Sequence, residues 1–439
     1  MKSLNFGDHI EITTKNQSLK GIYINSPKKD VIILKKNSGY NMGVNKKDIK
    51  KIKVVKKASK AKKVKGKGSI KTNKKLPNIT ILKIGGTIVS KLDYSTGAVS
   101  AKITAEELLE NIPELRKIAN INYKDIASIM SESMRFSHYN LIAKEIQKEI
   151  KKNKNLKGII IPHGTDTLHY TSSALSFMLE NINIPIILVG SQRSSDRGSS
   201  DSFINLTCAA QFIAKTDFKG VAICMHEDIS DDTCLILPGT KTNKIHTSRR
   251  DAFKSINTQP IARVDYFKNK IDFLTKNYNK FYDESKKINT KYFKDNLKVG
   301  ILKSHSNIHP ENISAFKNYK GLILEGTGLG HFPTKSFDPL SKVNEKNRKE
   351  IERLIKKNCV VILTSQCTYG RVNMNIYTPG RELIELGIVP GKDMTTETAF
   401  IKLAFLLSNY KKEQVKSLFK ENLRGEISER ILPHEFVDY

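Results

Sequence analysis

The stretch Leu156-Lys-Gly-Ile-Ile-Ile-Pro-His163, continued by Gly-Thr-Asp-Thr167, decides the fold of this chain. Three consecutive isoleucines bounded by glycine and proline predict a strand that is buried on both faces, as in a parallel sheet. The polar turn leads into a predicted helix over 171–180. Because open α/β sheets bind ligands beyond the carboxyl ends of their strands, Thr165 and Asp166 are candidate functional residues. The simpler alternative for an isolated Thr-Asp pair is a helix N-cap.

The same strand–turn–helix pattern repeats along most of the chain, which predicts an α/β fold. Further strands are predicted at 79–83, 125–129, 185–189, 220–224, 298–302, 321–325 and 359–363, with helices between them at 104–118, 138–152 and 203–215. This alternation indicates right-handed βαβ units and parallel sheets. We expect a larger α/β domain over 78–267, a connector over 268–296 and a smaller α/β domain over 297–439.

The first 77 residues have a different pattern. Residues 1–55 contain four short alternating stretches separated by turn residues, which predict a small β-barrel, since closure removes exposed sheet edges. Residues 56–77 are rich in lysine and have almost no apolar anchor, so we expect an extended linker.

Charge and composition limit the classes of function. The 439 residues carry a net charge of +31, and residues 46–75 hold 15 lysines and a single acid. Such an excess favours an anionic partner such as nucleic acid, while a lysine-rich coding bias explains it equally well. No apolar run is long enough to span a membrane, and the N-terminal residues lack the apolar region of a signal peptide, so we expect neither. Five cysteines without a C-x-x-C pair favour a reduced cytoplasm over structural zinc, and His163 and His169 lack metal-spaced partners.

Polar residues cluster at the predicted ends of several strands. Besides Thr165 and Asp166, these turns are Gly85-Gly-Thr-Ile88, Ser131-Glu-Ser133 and Gly239-Thr-Lys-Thr-Asn243. A threonine hydroxyl needs a base to become a nucleophile, and a lysine oriented by a carboxylate can serve. Thr165, Lys241 and Asp166 supply these parts, Thr87 is a second candidate nucleophile, and the glycine turns offer N–H groups for an oxyanion. The turns together predict nucleophilic attack on an acyl carbon.

The order and spacing of Gly85-Gly-Thr-Ile88, His163-Gly-Thr-Asp-Thr167 and Thr240-Lys-Thr-Asn243 resemble the L-asparaginase/glutaminase family of amidohydrolases. The resemblance covers about residues 78–439 and implies an asparaginase-like two-domain core. It also implies roles for particular residues. Thr87 is then the nucleophile, Thr165, Asp166 and Lys241 form a second activating group, and Ser131, Glu132 and Asp166 hold the α-carboxylate and α-ammonium of the substrate.

Within that family, the chain resembles the D subunits of archaeal glutamyl-tRNA(Gln) amidotransferases. The N-terminal β-rich module, the lid-like segment 89–99 with its substrate-covering Tyr94, the stretch 370–383 and the tail 422–427 carry this resemblance. The family usually has threonine before Gly85, and this chain has Ile84. We interpret the segment Ser191-Gln-Arg193, with Asp196 and Asp201, as scaffold that holds the site.

This resemblance implies a glutaminase that supplies ammonia to a partner E subunit, which amidates Glu-tRNA(Gln) with ATP and Mg²⁺. No cofactor is expected in this chain. A homodimer through the asparaginase-like core and a heterotetramer of two D and two E subunits are also implied. Two alternatives stay open: a stand-alone asparaginase or glutaminase with an extra domain, and an inactive RNA-binding scaffold.

Overall fold

The computed structural model describes most of the chain. The described residues are 4–24, 26, 28, 30–36, 41–57, 73–85, 91–92, 99–100, 112–193, 200–276, 278 and 282–436. The predicted nucleophile Thr87, the lid residue Tyr94 and most of the predicted linker lie outside these ranges.

The N-terminal unit is a five-stranded antiparallel sheet. Its strands are β1 (His9–Thr14), β2 (Ser18–Ile24), β3 (Val31–Lys35), β4 (Asn41–Asn45) and β5 (Ile49–Lys56), in the order β4-β3-β2-β1-β5. Ile10, Ile12 and Leu34 form its buried centre, because alternate residues of a strand point to one face. The outer strands β4 and β5 are not paired with each other in the described residues, so a closed barrel stays a prediction.

The larger sheet contains the five parallel strands that the sequence predicts. The strands of this region are β6 (Asn78–Gly85), β7 (Lys91–Leu92), β8 (Val99–Ser100), β9 (Asn120–Ile129), β10 (Leu156–Pro162), β11 (Leu179–Glu180), β12 (Pro185–Val189), β13 (Gly220–His226), β14 (Thr233–Pro238), β15 (Thr242–Lys244), β16 (Phe253–Ser255), β17 (Ala262–Asp265), β18 (Lys270–Phe273) and β19 (Asn289–Thr290). Eight of them form one sheet in the order β18-β17-β14-β13-β12-β10-β6-β9. The five neighbouring strands β13, β12, β10, β6 and β9 are parallel. The antiparallel strands β14, β17 and β18 extend it, and β18 lies within the predicted connector.

Helices cover both faces of this sheet, which explains the unbroken isoleucine run of β10. The helices here are α1 (Leu115–Ile118), α2 (Phe136–Lys152), α3 (Leu168–Met178) and α4 (Ser202–Lys215). Ile159 and Ile161 pack into the core that α2 and α3 cover, and Ile160 packs into the core that α4 covers. The predicted helix over 171–180 begins three residues earlier and ends at Met178, because Leu179 and Glu180 pair with β19 instead.

A smaller four-stranded parallel sheet completes the fold. Its elements are β20 (Val299–Lys303), α5 (Pro310–Ser314), β21 (Gly321–Gly326), α6 (Val343–Lys356), β22 (Val360–Ser365), α7 (Thr378–Glu385), β23 (Val389–Pro390), α8 (Thr396–Asn409) and α9 (Lys412–Lys420). Helix α8 packs against α3 of the larger unit, with the rings of Phe177 and Phe405 stacked at 5.8 Å. Among the residues described, no helix is both long and apolar enough to cross a bilayer.

Candidate active site

Thr165 and Asp166 lie beside a lysine amino group at the carboxyl end of β10. Both residues belong to a single turn, Thr165–Thr167, that joins β10 to α3. The Nζ atom of Lys244, the last residue of β15, is 2.8 Å from Thr165 Oγ1 and 2.7 Å from Asp166 Oδ1. The Lys244 side chain is 11% exposed, whereas the Asp166 side chain is 65% exposed. The lysine is therefore sheltered, and its carboxylate partner is open to solvent.

The lysine beside this turn is not the one that the sequence indicates. Lys241 is 3% exposed, and its ammonium pairs with the carboxylate of Asp393, which is 2% exposed. Burial lowers the pKa of Lys241, and the Asp393 carboxylate opposes that shift. The structure therefore does not bring Lys241 together with Thr165 and Asp166, and Lys244 lies there instead. Lys241 lies in the bend before β15 and turns to Asp393 of the smaller domain, whereas Lys244 at the end of β15 turns to the Thr165 turn.

Ser131 is the predicted substrate-binding residue that the structure brings next to the Thr165 turn. It begins the turn Ser131–Ser133 after β9, and its carbonyl accepts a hydrogen bond from Thr167 Oγ1 at 2.7 Å. A Cβ atom on Gly164 would lie only 2.7 Å from the Cβ and Oγ of Ser131, so this close approach requires glycine. Ser131 is buried and its neighbour Glu132 is exposed.

The first glycine turn begins at the same edge of the sheet. β6 lies between β9 and β10 and runs parallel to both, so the three strands end on one side. Gly85 ends β6 with a φ of +147°, and a Cβ there would lie 2.1 Å from the Ile129 carbonyl oxygen. Ile84, where the family usually has threonine, is buried in the hydrophobic core. Thr87 follows Gly85 by two residues and is not among the residues described.

Buried polar groups fix the turn that carries Thr165. The His163 ring donates from Nδ1 to the Gly164 carbonyl at 2.7 Å and accepts at Nε2 from the Thr171 hydroxyl at 2.8 Å. Burial lowers the pKa of His163 to about 4 and that of His169 to about 3, so both rings are neutral near pH 7. Within the described ranges, no group of three or more His, Cys, Asp or Glu side chains is arranged to hold a metal ion.

Gln192 is a further neighbour of Thr165. The Thr165 hydroxyl donates to Gln192 Oε1 at 3.4 Å. From the sequence, Gln192 can be placed in the turn after β12. The sequence does not show whether this glutamine supports the turn or binds a ligand.

Three family models match this chain. The model described as "Asparaginase, N-terminal" matches residues 78–278, "Glutaminase/Asparaginase C-terminal domain" matches 298–419, and "GatD N-terminal domain" matches 4–55. Among solved structures, the thermostable L-asparaginase from Thermococcus kodakarensis is similar with a TM-score of 0.69 and 28% identity, over 80% of this chain and 100% of that one. L-asparaginase I from Vibrio cholerae gives a TM-score of 0.68 and 26% identity, over 80% and 99%. The asparaginase-like α/β fold is thereby confirmed.

Similarity to full-length relatives extends over the N-terminal unit as well. The D subunit of the glutamyl-tRNA(Gln) amidotransferase from Methanococcus maripaludis is 42% identical over 98% of this chain and 99% of its own length. The D subunit of the enzyme from Pyrococcus abyssi is 40% identical over 97% and 96%. The chain therefore belongs to the family of glutamyl-tRNA(Gln) amidotransferase D subunits.

Proposed function

We propose that this chain is the glutamine-hydrolysing component of a tRNA-dependent amidotransferase. In this proposal it hydrolyses glutamine to glutamate through a threonine acyl-enzyme and releases ammonia to a partner E subunit. The observation that carries the proposal is the amino group of Lys244, which lies within hydrogen-bonding distance of both Thr165 and Asp166 at the carboxyl edge of a parallel sheet.

Two half-reactions account for the proposed hydrolysis. In the first, the hydroxyl oxygen of Thr87 attacks the side-chain carbonyl carbon of glutamine, its proton passes to the amide nitrogen, and ammonia leaves as the C–N bond breaks. In the second, a water molecule attacks the resulting ester, gives one proton back to Thr87 and releases glutamate. Thr165 and Lys244 relay these protons, and Asp166 orients the lysine.

The remaining predicted residues bind the amino acid end of glutamine. Ser131 and Glu132 hold the α-carboxylate and α-ammonium, Asp166 contributes to the ammonium site, and Tyr94 covers the substrate. The contact between Thr167 and the Ser131 carbonyl supports this assignment, because it joins the proposed binding turn to the proposed reacting turn. The exposed carboxylate of Asp166 is also accessible to an incoming ammonium group.

The proposal includes partners, and it assigns the nucleotide chemistry to one of them. The E subunit uses ATP and Mg²⁺ to amidate Glu-tRNA(Gln), and this chain itself binds no cofactor. Two copies of the chain form a homodimer through the asparaginase-like core within a heterotetramer with two E subunits. The five free cysteines suit a reduced, cytoplasmic setting. The similarity to L-asparaginases supports one alternative, a stand-alone asparaginase or glutaminase.

The test is ammonia release from glutamine and from asparagine, by the chain alone and with Glu-tRNA(Gln) and the E subunit. We expect slow release by the chain alone and strong stimulation on glutamine in the complex. Rapid hydrolysis of asparagine without a partner would instead establish the stand-alone enzyme. No release under any of these conditions would favour the inactive RNA-binding scaffold.

A further inference from the structure

The carboxamide of Gln192 lies against the reacting end of the proposed site. β12 and β10 are parallel neighbours with Val189 paired to Pro162, so the turns that follow them lie side by side. Thr165 Oγ1 donates to Gln192 Oε1 at 3.4 Å. A Cβ atom on Gly190 would lie 2.8 Å from Thr165 Cγ2, which shows how closely the Gln192 turn approaches Thr165.

A buried carboxylate holds the backbone on both sides of Gln192. Asp201 is fully buried, and its oxygens accept hydrogen bonds from the Ser191 hydroxyl at 2.7 Å and from the amides of Gln192 and Arg193 at 3.0 Å each. Asn205 adds a bond to the Gly190 carbonyl at 3.0 Å. The predicted scaffold role of Asp201 is consistent with these contacts. Gln192 is thus fixed in place before a substrate arrives, which is what a binding group requires.

The other end of the Gln192 carboxamide has no hydrogen-bond partner within the described part of the chain. Its Nε2 atom is buried, and among the residues described here no acceptor bonds to it. Burying an N–H donor without an acceptor is unfavourable, and native structures rarely retain such a group without a reason. An unpaired donor that is rigidly held beside Thr165 is explained if a bound ligand supplies the missing oxygen.

We propose that Gln192 is a substrate-binding residue whose Nε2 donates a hydrogen bond to the carbonyl oxygen of the carboxamide that is cleaved. The inference rests on the proposed function. Gln192 contacts Thr165, and the proposed site for the amino acid end lies at Ser131, so Gln192 faces the reacting end of the substrate. The product carboxylate also offers an oxygen there. Loss of the bond should therefore weaken the binding of both glutamine and glutamate.

Two substitutions of Gln192 separate its donor from its acceptor. Gln192→Met removes both and keeps a similar length, whereas Gln192→Glu keeps an oxygen for Thr165 and, at neutral pH, replaces the donor by a charged acceptor. Gln211→Met is a matched control, since Gln211 is also buried and its Oε1 atom has no partner among the described residues, but it lies within α4. The assay measures kcat and KM for glutamine, and competitive inhibition by glutamate, in the complex with the E subunit.

We expect both Gln192 variants to raise the KM for glutamine and the inhibition constant of glutamate by roughly tenfold, with a smaller change in kcat. In Gln192→Glu both constants should improve as the pH falls, because the protonated carboxyl regains a donor. Gln211→Met should leave them unchanged. Wild-type values in Gln192→Glu with losses only in Gln192→Met would overturn the inference and assign Gln192 to supporting Thr165. An inactive wild-type complex would instead overturn the proposed function.

Discussion

Replacement of Lys241 by methionine tests the buried ion pair that joins the two α/β domains. Lys241 and Asp393 are almost completely inaccessible, and Asp393 also accepts from the backbone amide of Ser428 at 3.1 Å. Removing one partner of such a pair leaves the other charge buried and uncompensated, at a cost of about 3–5 kcal/mol. We expect Lys241→Met to lower the free energy of unfolding by that amount.

The assay is reversible urea unfolding followed by far-ultraviolet circular dichroism. Adding Asp393→Asn to Lys241→Met should recover part of the loss, because asparagine removes the stranded charge and can still accept from Ser428. Lys356→Met is the matched control, since Lys356 pairs with Glu352 on the exposed face of α6 and such pairs contribute little. If Lys241→Met and Lys356→Met lower the free energy of unfolding by the same small amount, the buried ion pair does not stabilise the contact between the two domains.

Three further substitutions test the turns that form the candidate active site. Burial lowers the pKa of His163 to about 4 in the folded chain, against about 6.5 when unfolded. The stability that its neutral ring contributes should be full above about pH 6.5 and fall by up to roughly 3 kcal/mol toward pH 4. In pH-dependent thermal melts, His163→Gln should remove this share of the slope and leave the share of His169, whose pKa burial also lowers. Gly164→Ala should abolish glutamine hydrolysis while the far-ultraviolet spectrum is kept, because its methyl group would meet Ser131; normal turnover would contradict the close approach. Gly85→Ala should lower the free energy of unfolding in urea by about 1–3 kcal/mol or more, since the positive φ and the Ile129 carbonyl oxygen disfavour a side chain there. Wild-type stability would show that the backbone at the end of β6 can shift to accommodate the methyl group.

The parallel part of the fold is predictable from the sequence because of its strong local signal. A strand covered by helices on both faces is an uninterrupted apolar run, and β10, β12 and β22 all have this pattern. The antiparallel extension by β14, β17 and β18 was not predicted. β17 and β18 are only four residues each and partly exposed, so they lack such a run, and their pairing depends on tertiary contacts.

The candidate site was predicted in part. Thr165, Asp166 and Ser131 follow strands that the sequence predicts to be parallel, so their carboxyl ends share one edge of the sheet, and the structure places them at that edge. The choice between Lys241 and Lys244 could not be made from composition, since both lie in one short polar segment. It depends on where the bend before β15 directs Lys241, on the direction of Lys244 at the end of β15, and on the distant Asp393 that pairs with Lys241. No local pattern reports such a partner 152 residues away.

The most direct test of the proposed site is glutamine hydrolysis by Lys244→Met in the proposed complex with Glu-tRNA(Gln) and the E subunit, with Lys241→Met compared at a temperature where it is folded. We expect Lys244→Met to keep its fold and to release glutamate and ammonia at least about 100-fold more slowly, the lower end of what a positioned acid–base group contributes. Lys241→Met should retain measurable turnover. An active Lys244→Met together with a folded but inactive Lys241→Met would contradict the assignment of the site.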